Sequence, residues 1–238
     1  PIVVDSNFEL WEAFANRCWP TKYLIDGEGY LRFAHFGEGA YRETEETIQE
    51  LLREIHPDVP LPALMPALRD TDTPGAVCYR PSPELYLGHK RGRIGNASGF
   101  VEDQPADYLH AGEMKEGYFY AHGRWTATGD HIESANDDEC RITLTYSAAG
   151  VNLVMASFNR QPREVEVLQD GRPLAPEIAG PDVQFRDRRS YIRVVRPRMY
   201  ALLDNKDFGT HRLELVTGEP ELALFAFTFT TCVDPNAA

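Results

Sequence analysis

Four thiols, seven imidazoles and a Trp-Pro pair are the first groups in this chain that could do chemistry. Thiol–disulfide exchange needs a low-pKa attacking cysteine and a resolving partner within one helical turn, the spacing that Cys-x-x-Cys supplies. Cys18, Cys78, Cys140 and Cys232 stand far apart, so the chain has no such pair and no paired zinc-ligand spacing. An even count leaves two disulfides open in an oxidising compartment, in any of three pairings. Cys140 and Cys232 fall in expected strands and could be joined if those strands are neighbours. Cys18 is read either as a redox-sensitive thiol or as a small apolar residue closing a helix. The histidines show no His-x-x-x-His or His-x-His spacing, and His211 reads as a strand residue at a sheet edge, so no metal site is expected. The acidic run from Asp130 to Glu139 lacks the ordered ligand pattern of a calcium loop and reads as a solvated turn. Asn96-Ala97-Ser98 is a glycosylation sequon that has force only in a eukaryotic secretory protein. No nucleophile elbow, P-loop or dinucleotide fingerprint appears, so no cofactor is expected and hydrolase, NTPase and dehydrogenase readings lack support.

Aromatic side chains offer a different chemistry, because a flat exposed ring beside polar groups can stack on the C–H face of a sugar. Tyr118, Tyr120, Trp125, Tyr191 and Tyr200 are the candidates. Each has an alternative reading as core or edge packing, and Trp125, within Gly123-Arg124-Trp125-Thr126, reads as a strand residue facing the core.

Composition narrows the partners. A formal net charge of -13 opposes nucleic acid, which requires a clustered basic surface, and the run from Lys90 to Arg93 is too short to reverse it. With 42% hydrophobic and 26% charged residues the chain can bury a core and is not disordered. No run reaches the roughly 18 apolar residues of a membrane helix, and no basic segment followed by an apolar core marks an export signal. The start at Pro1 suggests a processed product or a piece of something longer.

These groups need elements to hold them. Residues 1–56 follow an α/β rhythm: Ile2-Val3-Val4 reads as a short strand, and Ser6-Asn7-Phe8-Glu9 has capping-box form, starting a helix near Asn7. Phe8, Trp11, Phe14 and Ala15 form its apolar stripe until Trp19-Pro20 ends it. Tyr23-Leu24-Ile25, the Asp26-Gly27-Glu28-Gly29 turn and Tyr30 to Phe36 predict a hairpin. Ile48, Leu51, Leu52 and Ile55 place one face on a helix from Glu43 to Ile55, expected to lie across that hairpin. Residues 57–82 are proline-rich and read as a stiff linker or wrapping segment.

From residue 83 to 238 the period shifts to two. Arg141 to Tyr146 alternates, an Ala-Ala-Gly turn is followed by Val151 to Met155, and Val165 to Val167 leads into an Asp170-Gly171 turn. Tyr191 to Val195, Met199 to Leu203, Arg212 to Val216 and Leu222 to Thr231 continue the series, with Phe225, Phe227 and Phe229 on one face. The fold expected is thus α+β multidomain: an α/β unit over 1–56, a linker over 57–82, and an antiparallel β-sandwich of jelly-roll or galactose-binding type over 83–238.

Trp19-Pro20-Thr21-Lys22-Tyr23-Leu24-Ile25-Asp26-Gly27-Glu28-Gly29, followed by His35-Phe36-Gly37-Glu38-Gly39, resembles the TlpA-like extracytoplasmic thioredoxins, most closely the soluble C-terminal region of DipZ-type cytochrome c biogenesis proteins. In that family a thioredoxin-like domain precedes a β-sandwich similar to carbohydrate-binding modules. The resemblance implies that residues 1–56 are the distal half of a thioredoxin-like domain. It makes Pro20 the cis-proline of the substrate groove, with Trp19 supplying a backbone edge and Cys18 beside it. An ordinary trans proline between helix and strand is the other reading. It also implies an extracytoplasmic location, tethered through a membrane parent, and protein thiols or disulfides as partners of that parent.

The parent would be a thiol–disulfide oxidoreductase, and this chain, without the dithiol, is expected to be inactive alone. The dithiol helix would precede Ile2, and an isolated half-sheet would recruit its complement, a second copy or the sandwich. A non-enzymatic glycan- or protein-binding module is the competing expectation.

Overall fold

A computed structural model describes residues 2–16, 20–37, 39–67 and 82–230, together with the backbone of the short strands Val77–Cys78 and Cys232–Val233. The chain divides into two compact units, residues 1–76 and 77–238.

In the first unit, helix α1 spans Glu9–Ala13, strands β1 (Thr21–Ile25) and β2 (Leu31–Phe36) form an antiparallel hairpin, and helix α2 spans Tyr41–Ile55. The hairpin turn is built by Asp26, whose carboxylate accepts from the Glu28 and Tyr30 amides at 3.0 and 2.9 Å, while Gly29 takes φ +92. α1 starts two residues later than the capping box predicts. Phe8 holds the N-cap in a left-handed conformation with no side-chain bond, and Asp5 instead accepts from the Leu10 and Trp11 amides at 3.1 and 2.9 Å. Ile2-Val3-Val4 is not a strand; it is exposed coil, with Ile2 at 96%. The proline-rich segment lies on α2, where Pro62 carbonyl accepts from Gln49 and the Met65 amide donates to Glu45.

The α+β expectation is therefore corrected. Strand far outweighs helix, and only two α-helices occur among the described residues. One hairpin and two helices are not the balanced α/β unit expected, although helical segments do contact the hairpin: Phe14 meets Tyr23 with ring centroids 5.0 Å apart, and Glu54 of α2 pairs with Arg32 of β2 at 2.8 Å. Apolar side chains are present at the expected positions but stay in solvent: Phe36, Leu31, Ile48, Leu52 and Ile55 are all exposed.

The second unit holds β3 (Val77–Cys78), β4 (Leu85–Tyr86), β5 (Pro105–Tyr108), β6 (Phe119–Ala127), β7 (Ile132–Ser134), β8 (Cys140–Ser157), β9 (Arg163–Gln169) and β10 (Arg172–Pro173). It continues with β11 (Val183–Arg186), β12 (Arg189–Val194), β13 (Arg198–Thr217), β14 (Leu222–Thr230) and β15 (Cys232–Val233). Eleven of these form one connected antiparallel network, a connectivity compatible with the expected β-sandwich, while β3 and β15 pair with each other.

β8 organises this network. Its first half pairs with β6 and its second half with β14, while β13 runs along nearly its whole length. With β7 bridging β6 and β14, the four strands close a ring of pairings around the core. The Ala148-Ala149-Gly150 stretch is not a turn. It sits inside one 18-residue strand, where small residues let neighbours approach: a Cβ on Gly150 would stand 2.4 Å from Thr230 Oγ1. Met199–Leu203 and Arg212–Val216 likewise belong to a single 20-residue β13, which absorbs its length through two register shifts. Trp125, Tyr108, Phe119, Tyr146, Tyr200 and Phe227 are the largest side chains in the dry interior.

Candidate ligand-binding cleft

The sequence-nominated residues do not converge. Cys18 and Trp19 lie outside the described residues; Pro20 is exposed, and its carbonyl accepts from the Gly37 amide at 2.8 Å. Trp125 is buried and donates its indole N–H to the His122 carbonyl at 2.8 Å. Tyr200 is buried beneath the Arg198 guanidinium, donating to the Arg196 carbonyl and accepting from the Val195 amide. Tyr191 is also buried, with Arg186 over its ring, and Tyr120 accepts from the Lys115 amide in the interior. Only Tyr118, 37% exposed, reaches the surface, so these rings form no shared stacking plane. Each buried hydroxyl or indole finds a backbone partner or lies against the core, as a large amphipathic ring must when it packs a sheet interior.

A cleft does form at another place, and a bulge makes it. In β14 the register against β8 slips between Leu224 and Ala226, leaving Phe225 as an extra residue. The bulge breaks the two-residue period, so Phe225 does not share the fate of Phe227. Phe227 is in the core, whereas Phe225 turns toward His131, ring centroids 4.8 Å apart, and the exposed Phe158. The Phe225 carbonyl accepts from the Leu87 amide at 2.8 Å, which fastens the segment after β4 against the bulge.

The opposite wall comes from residues 86–92. Tyr86 carries the Arg91 guanidinium 3.7 Å over its ring and donates its hydroxyl to Glu84 at 2.6 Å. Burial, together with the hydrogen bond to Glu84, pushes the Tyr86 hydroxyl pKa up, so it is a neutral donor through physiological pH. Gly88 lies so close to the 129–130 backbone that a Cβ there would stand 2.3 Å from the Asp130 carbonyl carbon. The His89 and Lys90 amides bond the Thr128 and Gly129 carbonyls at 2.8 and 3.1 Å. Tyr86, Gly88, Arg91, Gly129, Asp130, Val154, Phe225 and Ala226 thus enclose about 200 Å³. It is an apolar slot with the Arg91 cation on one wall. Such a slot can take an aromatic or branched apolar side chain while the cation meets an acidic neighbour.

Sequence reasoning set Lys90 to Arg93 aside as a basic run too short for nucleic acid, and placed Phe225 on one face with Phe227 and Phe229. The signal for the wall was Gly88 and Gly92 on either side of His89 to Arg91, where only glycine permits such close backbone approach. For Phe225 no signal exists, because an unbroken alternation of aromatics hides the bulge.

A second polar cluster is structural. Tyr146 donates to Gln169 at 2.8 Å and accepts from Asn205 at 3.3 Å, and burial raises its hydroxyl pKa. Asp170 pairs with His211 at 2.8 Å and accepts from the Arg212 amide; these contacts outweigh its partial burial and hold its carboxyl below the usual range. His211 lies in β13, paired with Tyr146 of β8. Among the described residues no group of three His, Cys, Asp or Glu side chains is placed to hold a metal ion, and no helix is long and apolar enough to cross a membrane.

Comparison with known proteins places the chain. The sequence model of the family described as "Thioredoxin like C-terminal domain" matches residues 82–230, most of the second unit. Two curated proteins, each named "Protein DipZ", from Mycobacterium bovis (strain ATCC BAA-935 / AF2122/97) and Mycobacterium tuberculosis (strain CDC 1551 / Oshkosh), are 32% identical over 183 residues. That alignment covers 76% of this chain and 25% of each relative, so the chain spans about a quarter of their length. Among solved structures, a family two carbohydrate esterase from Cellvibrio japonicus aligns at 12% identity and a TM-score of 0.35, over 63% of this chain and 34% of that one. That likeness is too loose to carry an argument.

Proposed function

The chain belongs to the thioredoxin-like C-terminal domain family, and from that premise we propose that it is the partner-docking part of a thiol–disulfide oxidoreductase-type protein. The observation that carries this reading is the 32% identity to the DipZ proteins, which extends over 76% of the chain. The chain itself has no Cys-x-x-Cys, so the exchange chemistry belongs to another segment of the same protein or to its partner. On this reading the protein works outside the cytoplasm, in the redox steps of cytochrome c biogenesis, and meets protein thiols and disulfides.

The cleft between Tyr86 and Phe225 is the docking point, because it combines an apolar floor with the Arg91 cation. An unfolded polypeptide, the natural form of a thiol substrate, presents an aromatic side chain beside an acidic one often enough to use it. The test is fluorescence anisotropy with a reduced, carboxymethylated polypeptide as probe. Phe225→Ala and Arg91→Ala should each weaken binding about tenfold, the size expected for a central aromatic or arginine anchor. Equal binding by wild type and both variants would sink the docking assignment. Insulin reduction by the chain alone should stay at the uncatalysed rate; thioredoxin-like turnover would overturn the division of labour.

A further inference from the structure

We propose that Cys78 and Cys232 form a disulfide that clasps the first strand of the second unit to its last. In the ladder between β3 and β15, Cys232 is the direct register partner of Cys78, and Val233 that of Val77. Directly opposed residues of an antiparallel pair have Cα atoms about 4.5 to 5.5 Å apart and share a sheet face. A disulfide requires Cα atoms about 4.4 to 6.8 Å apart, so the register alone satisfies its span. Two-residue strands forming a sheet of their own hold few ladder bonds, and a covalent link would give this pairing the persistence it otherwise lacks.

Cys140 does not compete. It is buried in β8, donates its thiol to the Arg124 carbonyl at 3.3 Å, and burial pushes its pKa up, away from the reactive thiolate. In sequence Cys140 and Cys232 are both strand cysteines, but Cys140 stands opposite Thr217 of β13.

The oxidant is a small disulfide of the glutathione class. One thiolate of the pair attacks a sulfur of that disulfide, forming a mixed disulfide and releasing one thiol. The second thiolate then attacks the protein-bound sulfur, forming the Cys78–Cys232 bond and releasing the other thiol. Two electrons pass from the cysteine pair to the small disulfide, and the two protons end on the released thiols. The clasp does not depend on the docking cleft.

The whole chain, incubated with oxidised glutathione, is denatured without reductant, alkylated, digested and mapped by mass spectrometry. The expected product is the Cys78 peptide joined to the Cys232 peptide, at the summed mass less two hydrogens, with Cys140 alkylated. Oxidation should raise the melting temperature by about 5 °C or more, a shift lost in Cys78→Ser and in Cys232→Ser but kept in Cys140→Ser. Alkylation of both Cys78 and Cys232 after oxidation, or a cross-link that joins either to Cys140 or Cys18, overturns the proposal. Because the mapping uses the wild-type chain, it decides the matter even if a serine variant fails to fold.

Discussion

The hairpin β1–β2 and the strand pair β8–β13 both have apolar residues at strand positions, yet they end in opposite environments. Leu31 and Phe36 are exposed in the hairpin, while Ile142, Leu144, Leu213 and Leu215 are dry. Local pattern is similar in kind; what differs is what covers the face. β8 has neighbours on both edges and a ring of strands closing over its inner side, whereas β1 has only β2. Alternation chooses a face, and only a second layer gives that face something to be buried against.

The sharpest test of this contrast truncates one large ring in each region. Trp125→Ala, at 1% exposure, should cost about 3–5 kcal/mol in urea unfolding of the second unit. Phe36→Ala, at 58% exposure, should change stability by less than about 0.5 kcal/mol. A Phe36→Ala cost as large as that of Trp125→Ala would mean that the first unit's apolar face is covered in solution, and the contrast would fail.

Gly88→Ala asks whether backbone contact matters as much as side-chain packing. The new Cβ meets the Asp130 backbone, which cannot swing away as a side chain could, so a loss of about 1–3 kcal/mol is expected, together with weaker polypeptide binding. Gly37→Ala in the first unit meets no neighbour and should show only the penalty of its positive φ.

Electrostatics gives a smaller difference. Arg198 holds the Asp182 carboxyl below its usual range through paired bonds at 2.6 and 3.0 Å, helped by the Ala201 amide. A depressed folded-state pKa contributes stability above the unfolded value of about 3.9, lost as pH falls through the folded one. Asp182→Asn should therefore lower stability at pH 7 by up to about 1 kcal/mol, after discounting for solvent on Arg198. Its melting curve should converge on that of the wild type well below about pH 3.9, where both carry a neutral side chain. Smallest of all, Arg32→Ala removes the exposed pairs to Glu54 and Asp26 and should leave the circular dichroism of the chain unchanged.

The sequence made the strands of the second unit legible because Arg141 to Tyr146 and Arg212 to Val216 alternate against one buried side, and burial follows that alternation. It made α2 legible through Ile48, Leu51, Leu52 and Ile55, though not the exposure of Ile48, Leu52 and Ile55, since nothing local records whether a covering layer exists. Strand continuity through Ala148-Ala149-Gly150 was hidden because small residues serve turns and close strand packing alike. The cleft was hidden for a related reason. Its residues are distant in sequence, and the register slip that turns Phe225 outward is set by pairing with β8 rather than by β14 itself.

That slip also governs which changes of length the last long strand can accept. Removing Phe225 would leave Leu224 and Ala226 consecutive opposite Met155 and Val154, so the ladder would become regular and Leu222, Leu224 and Phe227 would keep their common face, while the cleft would lose its aromatic wall. Removing a regularly paired residue such as Thr228 would instead shift those after it by one place and put Phe229 opposite Asn152, on the other face. The strand can therefore lose the residue that builds the cleft and keep its ladder, but no residue that is part of the regular pairing.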